Sequence, residues 1–93
     1  SHYSIFDAYN YPNPVYDEGT SFRFYVDGAT NATIDIYDVM GLHVISLKNS
    51  TLFQKTFNEI RWIPEKQIEA GLYFAKISLS SGQEKLVKVV LIR

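Results

Sequence analysis

Residues 33–47, TIDIYDVMGLHVISL, contain two alternating apolar segments on either side of a turn. Ile34 and Ile36 alternate with polar neighbours, and this period of two is typical of a strand with one buried face. Asp38 and Gly41 fit the turn that follows, because glycine takes the left-handed conformation that the final residue of a hairpin turn requires. The apolar pattern resumes after the turn, so the stretch predicts a β-hairpin.

The same period recurs on both sides of this hairpin, and no segment has a long-helix pattern. The residues expected to face the core are Phe22, Phe24 and Val26; Phe57, Ile60 and Trp62, with an irregularity at Asn58; and Tyr73, Ala75, Ile77 and Leu79. A nearly continuous apolar run over residues 86–92, interrupted by Lys88, predicts the last strand. About seven short, mainly antiparallel strands are typical of an all-β, Ig-like sandwich. A small barrel is the main alternative.

Composition excludes several classes of function. Apolar residues make up 46% of the chain and charged residues 20%, which excludes intrinsic disorder. The net charge of −1 leaves no basic face for nucleic acid, and no apolar run approaches the roughly 18–20 residues that span a bilayer. There is no cysteine, so disulfides and thiolate metal sites are excluded. Ser1-His2 is expected to be the remnant of an expression tag, leaving residues 3–93 as one domain.

Two motifs have structural explanations. In Tyr11-Pro12-Asn13-Pro14, the prolines restrict φ and remove two backbone donors, so the segment is expected to form an extended bend leading into the sandwich. A contact surface is the alternative for this motif. The side chain of Asn13 is expected to close a local turn. Trp62 and Tyr73 are expected in the core, and a buried Tyr73 requires a partner for its hydroxyl, such as a backbone carbonyl.

The candidate sugar-stacking aromatics are Tyr9, Tyr11, Tyr16, Tyr25 and Tyr37. Of these, Tyr25 and Tyr37 are the candidate ligand-facing residues, because both share an outward strand phase with polar neighbours. Such rings stack against sugars in carbohydrate-binding proteins, and the alternative is that they form stabilising cross-strand pairs. No cofactor is predicted, although calcium stays open as an alternative. Acidic residues that could supply oxygen ligands are spread over turns and strands, without an EF-hand loop: Asp17, Glu18, Asp27, Asp35 and Asp38.

Catalysis is not predicted. His43 stands alone on its strand, and no serine lies in the context of a nucleophile elbow. Zinc is not expected either, because His2 belongs to the expected tag and leaves at most one native histidine.

Three stretches together resemble one family. They are residues 10–15, NYPNPV; residues 34–41, IDIYDVMG, followed by His43-Val44; and the set IRW at 60–62, AGLYF at 70–74 and KVVLIR at 88–93. In this order and spacing they resemble the C-terminal sorting domain of the type IX secretion system. The similar Ig-like domain of flagellar hook-capping proteins shares the pattern. The resemblance covers about residues 9–93.

The resemblance implies a non-catalytic domain that ends a larger protein, whose last strand finishes the polypeptide. Such a domain directs secretion across the outer membrane of a Gram-negative bacterium, via the periplasm, and then surface attachment or release. Its implied partners are an outer-membrane translocon, sortase proteins and the upstream domain of the same chain. The expected sorting signal is Lys88, Val89, Val90, Leu91, Ile92 and Arg93. The motif residues expected to hold the fold are Tyr11, Pro12, Asn13, Pro14, Asp38, Gly41, Trp62, Gly71 and Tyr73.

Two alternatives to the sorting role stay open. One is an accessory carbohydrate- or cell-wall-binding module of a secreted hydrolase, and the other is a passive Ig-like spacer. The charges of the last strand also have two compatible interpretations. Lys85, Lys88 and Arg93 protect a strand near a sheet edge from aggregation, and the same edge offers a partner a place to add a strand.

Overall fold

The computed structural model describes residues 6–93, so the predictions for Ser1-His2 and for the start of the domain at Tyr3 lie outside the described residues. Within these residues, seven strands follow one another: β1 Ala8–Tyr16, β2 Gly19–Val26, β3 Ala32–Asp38, β4 His43–Asn49, β5 Thr56–Trp62, β6 Gly71–Leu79 and β7 Glu84–Leu91. No helix in this part of the chain is long and apolar enough to cross a membrane.

The strands form one sheet in the order β4-β3-β6-β7-β1-β2-β5. Every pairing is antiparallel except that of β1 with β7. β1 pairs with β2 from Ala8 to Tyr11 and meets β7 at Val15↔Leu91. The prediction of an all-β fold with seven mainly antiparallel strands is confirmed. Two layers were expected without an assignment of strands to them. They consist of β1–β2–β5 and β4–β3–β6–β7, and β1 joins them into one curled sheet.

The core lies between these two layers. Its largest fully buried side chains come from strands of both: Trp62, Phe22, Phe24, Ile34, Ile36, Ile77 and Leu91. Trp62 of β5 meets Tyr73 of β6 edge to face, with ring centroids 6.4 Å apart. Each layer therefore buries its apolar face against the other, as alternating hydrophobicity requires.

The hairpin between β3 and β4 has the predicted turn. Gly41 has a φ of 82° and donates its N–H to the carbonyl of Asp38 at 3.0 Å. The carboxylate of Asp38 accepts the N–H groups of Met40 and Leu42, each at 2.9 Å. Asp38 therefore satisfies backbone donors that the tight turn would otherwise leave unpaired.

The alternation prediction is wrong at the start of β5. Phe57 is 36% exposed, whereas Asn58 is only 5% exposed, and pairing with β2 continues through Phe24↔Asn58 without an irregularity. The side chain of Asn58 accepts the N–H of Phe53 at 2.7 Å and donates to its carbonyl at 2.8 Å. A buried amide is tolerated here because a loop backbone satisfies both its donor and its acceptor.

Candidate functional site

The residues predicted to form the sorting signal divide between core and surface. β7 pairs with β6 from Ser78↔Glu84 to Gly71↔Leu91. Val89 and Leu91 are 0% and 1% exposed, whereas Lys88 and Ile92 are exposed and Val90 is half-buried. Only alternate side chains of the terminal segment can therefore contact a partner while the domain stays folded.

The outward side chains of the terminal segment form a mixed apolar and basic strip. We call this the β7 outer strip, and it consists of Leu86, Lys88, Val90 and Ile92. Leu86 is 60% exposed and Ile92 41% exposed. On β6, the half-buried Phe74 pairs with Lys88, and the half-buried Leu72 pairs with Val90. Contiguous apolar groups of this kind on a surface mark contact sites.

Asn13 binds the terminal strand through its side chain. Its carboxamide donates to the carbonyl of Lys88 at 3.3 Å and accepts the N–H of Val90 at 3.2 Å. Pro12 and Pro14, on either side, have no N–H to contribute to a ladder. The amide thus takes the place of a backbone partner. The predicted local turn at Asn13 is wrong, because its partners lie 75 and 77 positions later in the chain.

Immediately after Pro14, the backbone of β1 takes over this contact. Val15 is fully buried and pairs with Leu91. The N–H of Ile92 donates to the carbonyl of Val15 at 2.8 Å. The Tyr11-Pro12-Asn13-Pro14 motif therefore carries β1 from one layer to the other and attaches it to the terminal strand.

This arrangement predicts a graded effect of substitutions at Asn13. Asn13→Ala removes both hydrogen bonds, whereas Asn13→Asp keeps an acceptor for Val90 and loses the donor to Lys88. We expect Asn13→Ala to lower the free energy of unfolding by about 1–2 kcal/mol, and Asn13→Asp to lower it less. Urea unfolding and hydrogen exchange at the Val90 amide measure this. Unchanged protection of that amide in Asn13→Ala would contradict the assignment.

Arg93 holds the loop between β5 and β6. Its side chain is only 18% exposed, and its Nε donates to the carboxylate of Asp17 at 3.1 Å. Its other nitrogens donate to four backbone carbonyls, those of Pro64 at 3.0 Å, Glu65 at 2.8 Å, Lys66 at 3.3 Å and Ile68. We call this contact of Arg93 with residues 64–68 the Arg93 latch.

The loop contains little regular structure. Residues 64–68 contain a single hydrogen-bonded turn, from the N–H of Ile68 to the carbonyl of Glu65 at 3.0 Å. A helical turn would direct its carbonyls along the helix axis toward backbone donors. Here the carbonyls accept hydrogen bonds from the Arg93 guanidinium instead, because its planar array of donors can bind several acceptors at once.

Tyr73 fixes the end of the same loop. Its hydroxyl donates to the carbonyl of Glu69 at 2.6 Å, a backbone partner of the type that the sequence analysis expected. Burial, with smaller contributions from Glu69 and Asp38, raises the pKa of Tyr73 and favours the protonated donor. Gly71 begins β6 opposite Leu91. Tyr73 and Arg93 thus hold the β5–β6 loop against the end of the terminal strand.

Tyr25 and Tyr37 do not form one row. They lie on β2 and β3, which β6, β7 and β1 separate in the sheet. Tyr25 packs edge to face on Phe57 at 5.7 Å, and Tyr37 packs on His43 at 5.4 Å. Both rings therefore make cross-strand contacts, in different layers.

The acidic residues considered for calcium are also apart. Asp17 binds Arg93, Asp38 binds its own turn, and Asp35 binds Ser46. Within residues 6–93, no three His, Asp or Glu side chains gather as a metal site. The structure gives the calcium alternative no supporting geometry in that part of the chain.

His43 belongs to a polar cluster, so the prediction that it stands alone is wrong. Its Nε2 lies 3.0 Å from Asp35 Oδ1 and 3.1 Å from Ser46 Oγ, and the Ser46 hydroxyl donates to the same carboxylate. A catalytic triad places the imidazole between acid and nucleophile, using both ring nitrogens. Here the serine bonds directly to the acid, and one nitrogen makes both contacts, so the cluster lacks that relay.

The cluster of Asp35, His43 and Ser46 predicts that acid lowers the stability of the domain. The hydrogen bond from Ser46 and the proximity of His43, opposed by partial burial, lower the pKa of Asp35 below its ordinary value of 3.8. A carboxylate with a lowered pKa stabilises the fold at neutral pH, and this contribution is lost as the pH falls through the folded-state value. As the pH falls below about 4, we expect Asp35→Asn to lose less stability than the unaltered protein, by a difference of less than about 1 kcal/mol. Urea unfolding across that range measures this. Asp27→Asn, in an exposed turn, is the control. If Asp35→Asn loses as much stability at low pH as the unaltered protein, the prediction is wrong.

One polar group in the described part of the core lacks a hydrogen-bond partner. Among the buried side-chain polar atoms of residues 6–93, the indole N–H of Trp62 is the one without a hydrogen-bond partner. Because Trp62 is 2% exposed, packing outweighs the cost of this unpaired donor.

Comparison with known proteins agrees with this architecture. Residues 10–93 match the family described as the secretion system C-terminal sorting domain. The chain is also similar to part of the crystal structure of dimeric latent PorU from Porphyromonas gingivalis, with 26% sequence identity and a TM-score of 0.71. That similarity covers 94% of this chain and 9% of that one. No curated protein sequence matches the chain.

The family match begins at Asn10 and runs through the terminal strand, so it includes each motif described above. It confirms the resemblance to type IX secretion sorting domains and supports a role in secretion sorting to the cell surface or the extracellular space. The chain belongs to the secretion system C-terminal sorting domain family.

Proposed function

We propose that this domain directs a larger protein across the outer membrane, and that the export machinery reads the folded terminal strand through the β7 outer strip. One observation carries the proposal. Lys88 and Ile92 are exposed at the surface, whereas Val89 and Leu91 are buried in the core. A partner protein that recognises the folded domain therefore contacts every second side chain of the terminal segment. The sheet fixes the positions of these side chains.

β7 is paired along its length on one side and only in part on the other. β7 pairs with β6 along its length but meets β1 only at Val15↔Leu91. Among the described residues, the backbone of residues 84–87 pairs with no strand on the side of β1. The backbone of residues 84–87 on the side of β1, together with the side chains of the β7 outer strip, would supply the two elements of recognition by strand addition.

The proposed partners are an outer-membrane translocon and a sortase that releases or attaches the exported protein. The route is through the periplasm of a Gram-negative bacterium. The upstream domain of the same chain is a further proposed partner. The domain itself performs no catalysis in this proposal.

Surface substitutions test the proposal without unfolding the domain. We expect the double variant Lys88→Glu, Ile92→Ser in the full-length protein to stay folded and to leave most of that protein unsecreted in its native host. Matched controls are Lys48→Glu, exposed on β4, and Phe53→Ser, 71% exposed in the β4–β5 loop. Immunoblots of cell and medium fractions measure export, and circular dichroism of the isolated domain checks folding. Normal export of the folded double variant would refute the strip as the reading surface.

A further inference from the structure

The outer face of the β1–β2–β5 layer carries a cleft that the proposed sorting role does not use. Two cross-strand rows form its floor: Tyr11–Ser21–Arg61 and Tyr9–Arg23–Glu59. These six residues and Pro12 line a cleft of about 510 Å³. It lies on the opposite layer from the β7 outer strip, so both surfaces can be occupied at once.

Arg23 is held in place at the centre of this cleft. Its Nη1 donates to the hydroxyl of Tyr9 at 2.7 Å, and its Nε lies 3.7 Å from the carboxylate of Glu59. The guanidinium carbon also lies over the rings of Tyr9 and Phe57, 5.7 and 5.5 Å from their centroids. These contacts with a hydroxyl, a carboxylate and two rings orient the guanidinium before any ligand arrives.

Arg61 is fixed in a similar way beside it. Its Nη1 donates to the hydroxyl of Ser21 at 3.2 Å, and its Nη2 donates to the carbonyl of Glu18. A guanidinium has five N–H donors, so both arginines keep donors for a ligand. The lining contains two guanidinium groups and one carboxylate, which gives the cleft a net positive charge.

Tyr11 supplies a free aromatic face. It is 72% exposed, whereas Tyr9 and Tyr25 each pack edge to face against Phe57 at 6.0 and 5.7 Å. Arg23 further covers the faces of Tyr9 and Phe57. The packed rings therefore position the arginine, and Tyr11 is left as the flat surface against which the apolar C–H face of a ligand can stack.

We propose that this cleft binds an acidic oligosaccharide, with Tyr11 stacked on one sugar ring and Arg23 and Arg61 bound to a carboxylate of the sugar. The charge of the two guanidiniums complements the carboxylate through charge-assisted hydrogen bonds. Glu59 and Ser21 offer acceptors for sugar hydroxyls. An acidic peptide such as hexaglutamate has neither hydroxyls for these acceptors nor a flat C–H face for Tyr11, so an acidic sugar fits the cleft better than an acidic peptide.

Titration of the domain with a galacturonate hexamer tests the proposal, with maltohexaose as the neutral sugar and a hexaglutamate peptide as the acidic comparison. We expect binding of the galacturonate hexamer in preference to both. Tyr11→Ala is expected to weaken it about tenfold. Arg61→Gln is expected to remove the preference over maltohexaose. Tyr37→Ala, in the other layer, is the control and should bind normally. Isothermal titration calorimetry gives the affinities.

Three results would overturn the proposal: no binding of the galacturonate hexamer, unchanged affinity in Tyr11→Ala, or tighter binding of hexaglutamate. Because Tyr11 is largely exposed, its substitution leaves the core intact. The titration uses the purified domain and no export step. Its outcome is therefore independent of whether the domain acts as a sorting signal.

Discussion

Replacing Trp62 by alanine is expected to lower the free energy of unfolding by about 3–5 kcal/mol, the range for a large aromatic removed from a core. The side chain is 2% exposed and meets Tyr73 across the two layers. A small domain has a total stability of about 5–15 kcal/mol, so this loss removes a large share. Urea or thermal unfolding of the purified domain measures it.

Trp62→Phe is the matched control for this substitution. Phenylalanine keeps an aromatic ring against Tyr73 and removes the indole N–H, which has no partner in the structure. An unpaired buried donor costs about 1–3 kcal/mol, so its removal offsets part of the lost packing. We expect Trp62→Phe to destabilise much less than Trp62→Ala. Equal losses in the two variants would show that the ring does not bridge the layers as described.

Replacing Arg93 by alanine is expected to release the β5–β6 loop. The substitution removes the ion pair with Asp17 and the donors to the carbonyls of residues 64–68. Hydrogen bonds that involve a charged group contribute about 1.5–3 kcal/mol each to stability, but the exposed rim of the loop recovers water as a partner. We therefore expect a net loss of about 2 kcal/mol, which corresponds to roughly 10 °C in Tm for a domain of this size.

The pattern of hydrogen exchange along the chain distinguishes release of the Arg93 latch from a general loss of stability. Hydrogen exchange should rise first in residues 63–70 and leave β2 and β3 protected. Arg93→Lys should recover only part of the loss, because one ammonium cannot serve several carbonyls in the way a planar guanidinium does. Lys66→Ala, exposed in the same loop, is the control and should behave like the unaltered protein. Full rescue by lysine would contradict the latch.

Local patterns were sufficient to predict the strands. Ile34 and Ile36 are fully buried as their alternation requires, and Gly41 takes a positive φ at the predicted turn. These features depend on neighbours within a few residues, so the sequence contains them directly. Asn58 is the exception, because its burial depends on a loop backbone that no hydrophobic pattern records.

Contacts distant in sequence were not predictable in this way. Asn13 binds β7, and Arg93 binds residues 64–68, across separations that only the strand order explains. The register Asp35↔Ser46 within the predicted hairpin was a signal that could have brought Asp35 and Ser46 together. The phase of a strand predicts which residues point outward but not which layer they belong to. For this reason Tyr25 and Tyr37 were grouped from the sequence and lie apart in the structure.

The assignment to the sorting family makes the terminal segment the central element of the account. The structure explains how a short apolar segment that ends in a basic residue holds a defined shape. Asn13 and Val15 attach it to β1, and the Arg93 latch attaches it to the loop between β5 and β6. The proposed sorting signal is thus a surface of the folded domain, which depends on residues far from the terminal segment.

Export of a periplasmic reporter fused to this domain measures directly whether the domain acts as a sorting signal. The fusion is expressed in a bacterium with a type IX secretion system and in a matched strain that lacks the translocon. We predict that the reporter reaches the surface or the medium only in the first strain, and that the double variant Lys88→Glu, Ile92→Ser keeps it in the periplasm. Retention of the reporter in the periplasm by a correctly folded, unaltered domain would contradict the account.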